Sequence, residues 1–274
     1  MQNERWKVAD LPWDQFDASK VNPEILKIIK AAALVEYNAH DYATYLCNVF
    51  PNDPAFQKAA QEWSIEEVQH GEALGAWAQK ADPAFDFQSA VARYTAGYRV
   101  NVNAQESIRG SQTGELIARC IVETGTSSYY TALADATEEP VLKTICRHIA
   151  ADELRHYKLF YDHLKGYLQR EGLSRLERLK ISLGRMQESE DDELAYAYFA
   201  ANTPADAMYD RPLYTSAYMI RAYPFYQEKH VERVVAMVFK ACGFKPHTVW
   251  QGMANKAAWW VMQSKTKRAI QKAA

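Results

Sequence analysis

The chain has 274 residues, of which 48% are hydrophobic and 24% charged, with a formal net charge of -2. That length supports a substantial core, and the near-neutral balance excludes a chain-wide pull towards nucleic acid or an acidic membrane. No stretch approaches the roughly 20 apolar residues that span a bilayer, and Met1 to Asp10 is polar, without a signal-peptide core; the expectation is a soluble, cytoplasmic protein.

Only 11 Gly and 10 Pro occur, and long amphipathic stretches separate them with almost no alternating pattern, so the chain reads as all-α. Pro23 opens a helix predicted to run to about Phe50, because proline suits the first helical turn. Pro51-Asn52-Asp53-Pro54 stops it and starts a second helix reaching about Lys80. Residues 84–111 read as a partly helical crossover. A third helix is predicted from about Thr113 to Ala136, and a fourth from Glu139-Pro140 to about Arg170, where Gly172 breaks the chain. Beyond it, helices are predicted at about 174–188, 192–201, 213–241 and 246–270, with an acidic turn from Glu188 to Glu193. The expectation is one domain over 1–274: a four-helix core at about 23–170 with additional helices at about 174–271.

Two phrases carry the chemistry. Glu66-Glu67-Val68-Gln69-His70 lies on the second predicted helix and Asp152-Glu153-Leu154-Arg155-His156 on the fourth. Residues three apart share a helix face, so Glu67 with His70, and Glu153 with His156, each offer a carboxylate and an imidazole to one point. Of the seven histidines, only these two follow a glutamate by three positions. The first and third helices each hold a carboxylate in an apolar run, Glu36 in Ala33-Leu34-Val35-Glu36-Tyr37 and Glu123 in Ile121-Val122-Glu123-Thr124-Gly125. An unpaired carboxylate is costly to bury there, and metal coordination offsets that cost. Glu67 follows Glu36 by 31 residues and Glu153 follows Glu123 by 30, so two similar hairpins face each other. One Glu from each of two helices plus Glu-x-x-His from two others is the donor set of carboxylate-bridged dinuclear bundles. Four carboxylates and two imidazoles without thiolate suit iron or manganese. Either Glu67 with Glu153 or Glu36 with Glu123 can bridge.

Other candidates are weaker. His40 lies four residues after Glu36 and reads as a core or supporting histidine rather than a seventh ligand. His148, His163, His230 and His247 lack acidic partners at helical spacing. Cys47, Cys120, Cys146 and Cys242 show no Cys-x-x-Cys spacing and read as reduced, packed thiols. The basic tail from Lys265 to Lys272 reads as a solvated helix end.

In their wider context, Trp63-x-x-Glu66-Glu67-x-x-His70-Gly71 and Ala150-Ala151-Asp152-Glu153-x-Arg155-His156 resemble the two motifs of the soluble acyl-carrier-protein desaturases, members of the ferritin-like di-iron carboxylate superfamily. The likeness spans about residues 30–165. It implies a ferritin-like four-helix bundle with two iron ions (manganese as a substitute) held by Glu36, Glu67, His70, Glu123, Glu153 and His156. It also implies a hydroxyl from Thr126 beside the oxygen-binding face, able to deliver a proton, with a bond to its own helix backbone as the competing reading. By the same likeness Asp152 orients a ligand histidine, and Trp63 packs beside the cluster or lies on an electron route. Gln69 and Leu154 stand where the family has basic residues, Gly125 is smaller than usual, and the C-terminal third matches nothing in the family. The implied reaction is oxygen-dependent insertion of a cis double bond into a carrier-bound acyl chain. Acyl carrier protein and a ferredoxin-like electron donor are the implied partners, in a homodimer. The alternatives are a di-iron hydroxylase or N-oxygenase of a small metabolite, which a closed polar pocket favours over a long apolar tunnel, and a ferroxidase or iron-storage protein.

Overall fold

In the computed structural model, residues 5–188 and 192–273 are described, and among them every regular element is helical. Short 3₁₀ turns lead into α1 (Pro23–Tyr37), α2 (Ala39–Val49), α3 (Pro54–Ala81) and α4 (Phe87–Gly97). Then follow α5 (Gln112–Ala136), α6 (Pro140–Glu171), α7 (Arg175–Glu188), α8 (Asp192–Asn202), α9 (Arg211–Ala222), α10 (Glu228–Cys242) and α11 (Val249–Ala273).

The starts of the long helices are written in the sequence. Asn22, Asp53 and Glu139 each precede a proline and accept hydrogen bonds from the first free backbone N–H groups, at Glu24 and Ile25, at Phe56, and at Val141 and Leu142. The cap satisfies donors that have no partner inside the helix, and the proline removes another at no cost. Ser111 caps α5 through Gly114. Gly172, at φ 69°, ends α6 in the left-handed region that glycine enters without strain.

Two expected helices are broken. The predicted helix over 23–50 divides at Asn38, whose φ of −84° and ψ of 10° leave the helical region. The predicted helix over 213–241 divides at Tyr223–Phe225, a 3₁₀ turn carrying Pro224, because proline cannot continue a hydrogen-bonded helix from within. The acidic turn expected from Glu188 to Glu193 falls largely on residues 189–191, outside those described.

Helices α1, α3, α5 and α6 form the central bundle, with α1 against α3, α5 against α6, and α3 against α6. α8 covers α1 and α4, and α9 lies on α8; α7 and α10 cover α5, and α11 packs on α10 and α9. The apolar interior comes in two main clusters. One is built around Ile28, Leu74, Trp77, Leu133 and Ile145; the other around Phe56, Ala60, Ile117, Phe160 and Leu164. On α3, α5 and α6 the residues of one cluster precede, and those of the other follow, a short stretch that belongs to neither. Those stretches carry the two acidic-pair-plus-histidine phrases and Glu123.

Candidate metal centre

Glu36, Glu67, His70, Glu123, Glu153 and His156 converge between the two apolar clusters, each at most 8% exposed. Four carboxylates this deep, if ionised and unpaired, would cost several kcal/mol each. Glu36 sits in the last turn of α1, where the break at Asn38 redirects the chain. Glu67 and His70 share a face of α3, Glu123 projects from α5, and Glu153 and His156 share a face of α6. Gly71 makes the approach of α1 possible: a Cβ there would lie 2.6 Å from the backbone nitrogen of Tyr37.

The ligand atoms fall into two overlapping groups. Glu36, Glu67, His70 and Glu153 bring one donor atom each within 4.8 Å of one another, and so do Glu67, Glu123, Glu153 and His156. Glu67 and Glu153 therefore belong to both, while Glu36 with His70 and Glu123 with His156 stand at the two ends. Each group could hold a metal ion. Both histidines turn Nδ1 inward: His70 Nδ1 lies 3.4 Å from Glu67 and 3.4 Å from Glu153, and His156 Nδ1 lies 2.9 Å from Glu67 and 3.7 Å from Glu123.

Donors and acceptors left unsatisfied show what the cluster could hold. His70 Nδ1, His156 Nδ1, both oxygens of Glu123 and Oε1 of Glu153 are sealed from solvent and make no hydrogen bond. Buried polar groups are almost always paired. These unpaired atoms surround one space and are hard or borderline donors, which fits divalent or trivalent cations.

The protonation pattern agrees. Burial, then the neighbouring Glu67, pushes Glu36 well above the usual carboxylate range. Burial raises Glu123 in the same way, reinforced by Glu153 and Glu67 against the opposing pull of His156. Burial disfavours charge on His70 and His156, yet the acids around them win and hold both well above the usual imidazole value. Glu67 and Glu153 are held low: at Glu67 burial is outweighed by Glu36 and the nearby imidazoles, and at Glu153 burial and the Glu67 charge are outweighed by the imidazoles of His156 and His70.

The outer nitrogens of the imidazoles show a crossed arrangement. His70 Nε2 is 3.0 Å from Asp152 of the other motif, and His156 Nε2 is 3.3 Å from Glu66, again of the other motif. Each acid thus orients the partner motif's histidine and keeps its inner nitrogen free for a metal. Arg155 donates to both acids, at 3.0 Å to Glu66 and closely to Asp152. The N-terminal segment closes this side: Trp6 Nε1 donates to Asp152 at 2.8 Å, its ring stacks 6.0 Å from that of His70, and Arg5 pairs with Glu66 at 2.7 Å. Gln69 holds that segment by donating to the Trp6 carbonyl.

Thr126 lies on the opposite side, its Oγ1 2.8 Å from Glu153 Oε2 and 3.1 Å from the carbonyls of Val122 and Glu123. Its single proton serves one of these at a time; the bond to its own helix backbone is present, and the hydroxyl also reaches a carboxylate of the cluster. Trp63 crosses the His156 ring edge-on at 6.5 Å. A cavity of about 70 Å³ opens here, lined by Glu123, Glu153 and Thr126 and by Tyr42, Arg119, Arg185 and Glu193.

Several residues escaped the sequence reading. Glu66 and Arg155 lie inside the motifs, but their roles depend on contacts some ninety positions away. Tyr130, two turns after Glu123 on α5, donates to Glu36. Trp6, Arg119 and Arg185 carry no periodic signal. His40 is exposed, bonded to Ser64 and outside both ligand groups; it is neither core nor supporting. His230 is buried and pairs at 3.1 Å with Asp135, an acidic partner that helical spacing could not reveal. His148 stacks on Trp6. Cys120 and Cys146 are buried in the apolar clusters, their thiols pushed up by burial, and neither joins a ligand group. No helix among the described residues is long and apolar enough to cross a membrane. No known protein-family model matches this chain, and no curated protein does.

Proposed function

We propose that this chain is a di-iron, oxygen-dependent oxidoreductase of the ferritin-like superfamily. The observation that carries the reading is the pair of overlapping ligand groups sharing Glu67 and Glu153, on four helices contributing one, two, one and two donors, as in carboxylate-bridged dinuclear bundles. In this reading Glu67 and Glu153, common to both groups, would serve both ions, Glu36 and His70 would complete one site, and Glu123 and His156 would complete the other. Manganese fits the same donors. Bound iron would supply the one chemistry the side chains lack, reductive activation of dioxygen with electrons from a ferredoxin-like donor.

The chain's own groups divide the remaining work. Asp152 and Glu66 fix the imidazoles as Nδ1 donors by accepting from Nε2. Trp6 and the apolar clusters exclude water from one side, so that dioxygen and substrate approach from the cavity. There Thr126 Oγ1, 2.8 Å from Glu153 Oε2, would hold a proton beside the metal-facing carboxylates.

The motif likeness supports desaturation of a carrier-bound acyl chain. The cavity supports hydroxylation or N-oxygenation of a small metabolite: it is about 70 Å³, with Arg119, Arg185 and Glu193 set among Val35, Ala39, Trp63 and Val122, whereas ligand pockets for larger molecules span roughly 300–1,000 Å³. The small polar metabolite is therefore the preferred substrate class. In either case dioxygen takes an electron pair and a pair of protons. Oxygenation places one oxygen atom in product and one in water; desaturation sends both to water and removes two hydrogens from the chain. Reduced, iron-loaded protein given labelled dioxygen separates these outcomes: label in a small-molecule product supports oxygenation, and an acyl-carrier product lighter by two hydrogens supports desaturation. Oxidation of many irons per chain into a mineral, with no organic product, would replace both with iron storage.

A further inference from the structure

The cavity beside Thr126 contains charge that the metal site does not use. Arg119 on α5 is 7% exposed. Its Nε approaches Glu115 at 3.4 Å without making a hydrogen bond, and its guanidinium lies 5.2 Å from the centre of the Tyr42 ring. Glu115 is itself largely committed, because its other oxygen accepts from Tyr45 at 2.9 Å and Ser107 at 2.7 Å.

Arg185 on α7 lines the same cavity, and its sealed Nε has no hydrogen-bond partner. No carboxylate among the described residues is recorded within ion-pair distance of it. Glu193, the acid whose charge acts on it, accepts on Oε1 from Tyr42 at 2.6 Å and from Tyr94 at 3.3 Å. Burial, then the repulsion of Arg119, holds the Arg185 guanidinium below its usual value. A half-buried guanidinium whose sealed Nε has no partner is energetically unfavourable, and a carboxylate matches its planar fork better than any neutral group.

We propose that Arg185, assisted by Arg119, forms the anion subsite of this cavity, and that the substrate is a small metabolite bearing a carboxylate. The inference rests on the oxygenase reading above and names its substrate class. The carboxylate pairs with Arg185, which leaves the rest of a short molecule directed to the Thr126 and Glu123 wall. At about 70 Å³ the cavity offers several times the roughly 10–15 Å³ that one water needs on the same measure, so a carboxylate with a short chain fits.

The test is calorimetric titration of metal-loaded protein with acetate, propanoate and butanoate, each against its amide. The acids are expected to bind about tenfold or more tightly than the amides, the usual worth of a charge-assisted pair. Arg185→Gln should abolish that preference while retaining the same metal content, and Arg185→Lys should restore part of it. Equal binding of acid and amide, no binding of any acid, or an acid preference that survives Arg185→Gln would overturn the subsite; the last would mean that the acids ligate the metals directly. Metal content is measured on the same samples. A metal-free wild type would remove the di-iron reading, and the titration of that protein would still decide the subsite.

Discussion

Replacing Asp152 by Asn should separate the two proposed metal positions. Asp152 Oδ2 lies 3.0 Å from His70 Nε2 and 2.8 Å from Trp6 Nε1, and Oδ1 takes Arg155. Asparagine keeps the shape but loses the charge and one acceptor, so His70 becomes a poorer, less firmly oriented donor. Removing such a partner typically weakens metal binding about 10- to 100-fold, or about 1.4–2.8 kcal/mol. The loss should fall on the group containing Glu36 and His70, because His156 is oriented separately by Glu66. Competition with a coloured chelator should therefore turn biphasic, one metal leaving early and the other as in the wild type. Glu66→Gln should give the mirror result at the His156 position. Equal weakening of both metals in either variant, or of neither, would refute the crossed arrangement.

Three further outcomes are expected. Gly71→Ala places a methyl 2.6–2.8 Å from the Tyr37 backbone and Cβ; it should cost about 1–3 kcal/mol in chemical denaturation and lower metal affinity by displacing Glu36, whereas Gly125→Ala, which meets nothing within 4 Å, should be neutral or slightly stabilising. Glu139→Ala strips a buried cap from α6 and leaves the Trp77 indole and the Asp17 amide without their acceptor; a loss of about 2–4 kcal/mol should appear in urea titration, and a loss below about 1 kcal/mol would contradict the assignment. The third outcome is a pH profile of the metal-free protein. His70 and His156 are raised, so their stabilisation is complete below the reference value of 6.5 and is lost as pH rises. The raised Glu36 and Glu123 erode stability from 4.5 upwards, and the lowered Glu67 and Glu153 erode it as pH falls below 4.5. Thermal scans should therefore show the metal-free protein losing stability from about pH 5 to 8 while the metal-loaded protein gains it, because ligands must shed protons to bind. Parallel profiles would remove the cation from the account.

The residues of the candidate metal centre were legible because their signal is local. A glutamate and a histidine three apart on a helix, or a carboxylate inside an apolar run, needs no tertiary information. The helix starts at Pro23, Pro54 and Pro140 were legible for the same reason. The break at Asn38 was not, because apolar residues continue on both sides of it and a tight tertiary approach, Gly71 against Tyr37, accompanies the bend. Pro224 carried a readable signal that the strong flanking periodicity obscured. The crossed pairs His70 with Asp152 and His156 with Glu66 join residues 82 and 90 positions apart, so they exist only once the hairpins meet. Arg185 belongs to the C-terminal third, where nothing in the sequence connects α7 to the metal ligands.

Metal analysis of protein loaded with iron under anaerobic conditions addresses the central claim most directly. Two irons per chain are predicted, spectroscopically coupled through the shared carboxylates, falling to one or none in Glu123→Ala and His156→Ala while both variants keep their helical content. An unchanged metal content in both variants, or a folded wild type that takes up no metal, would contradict the account.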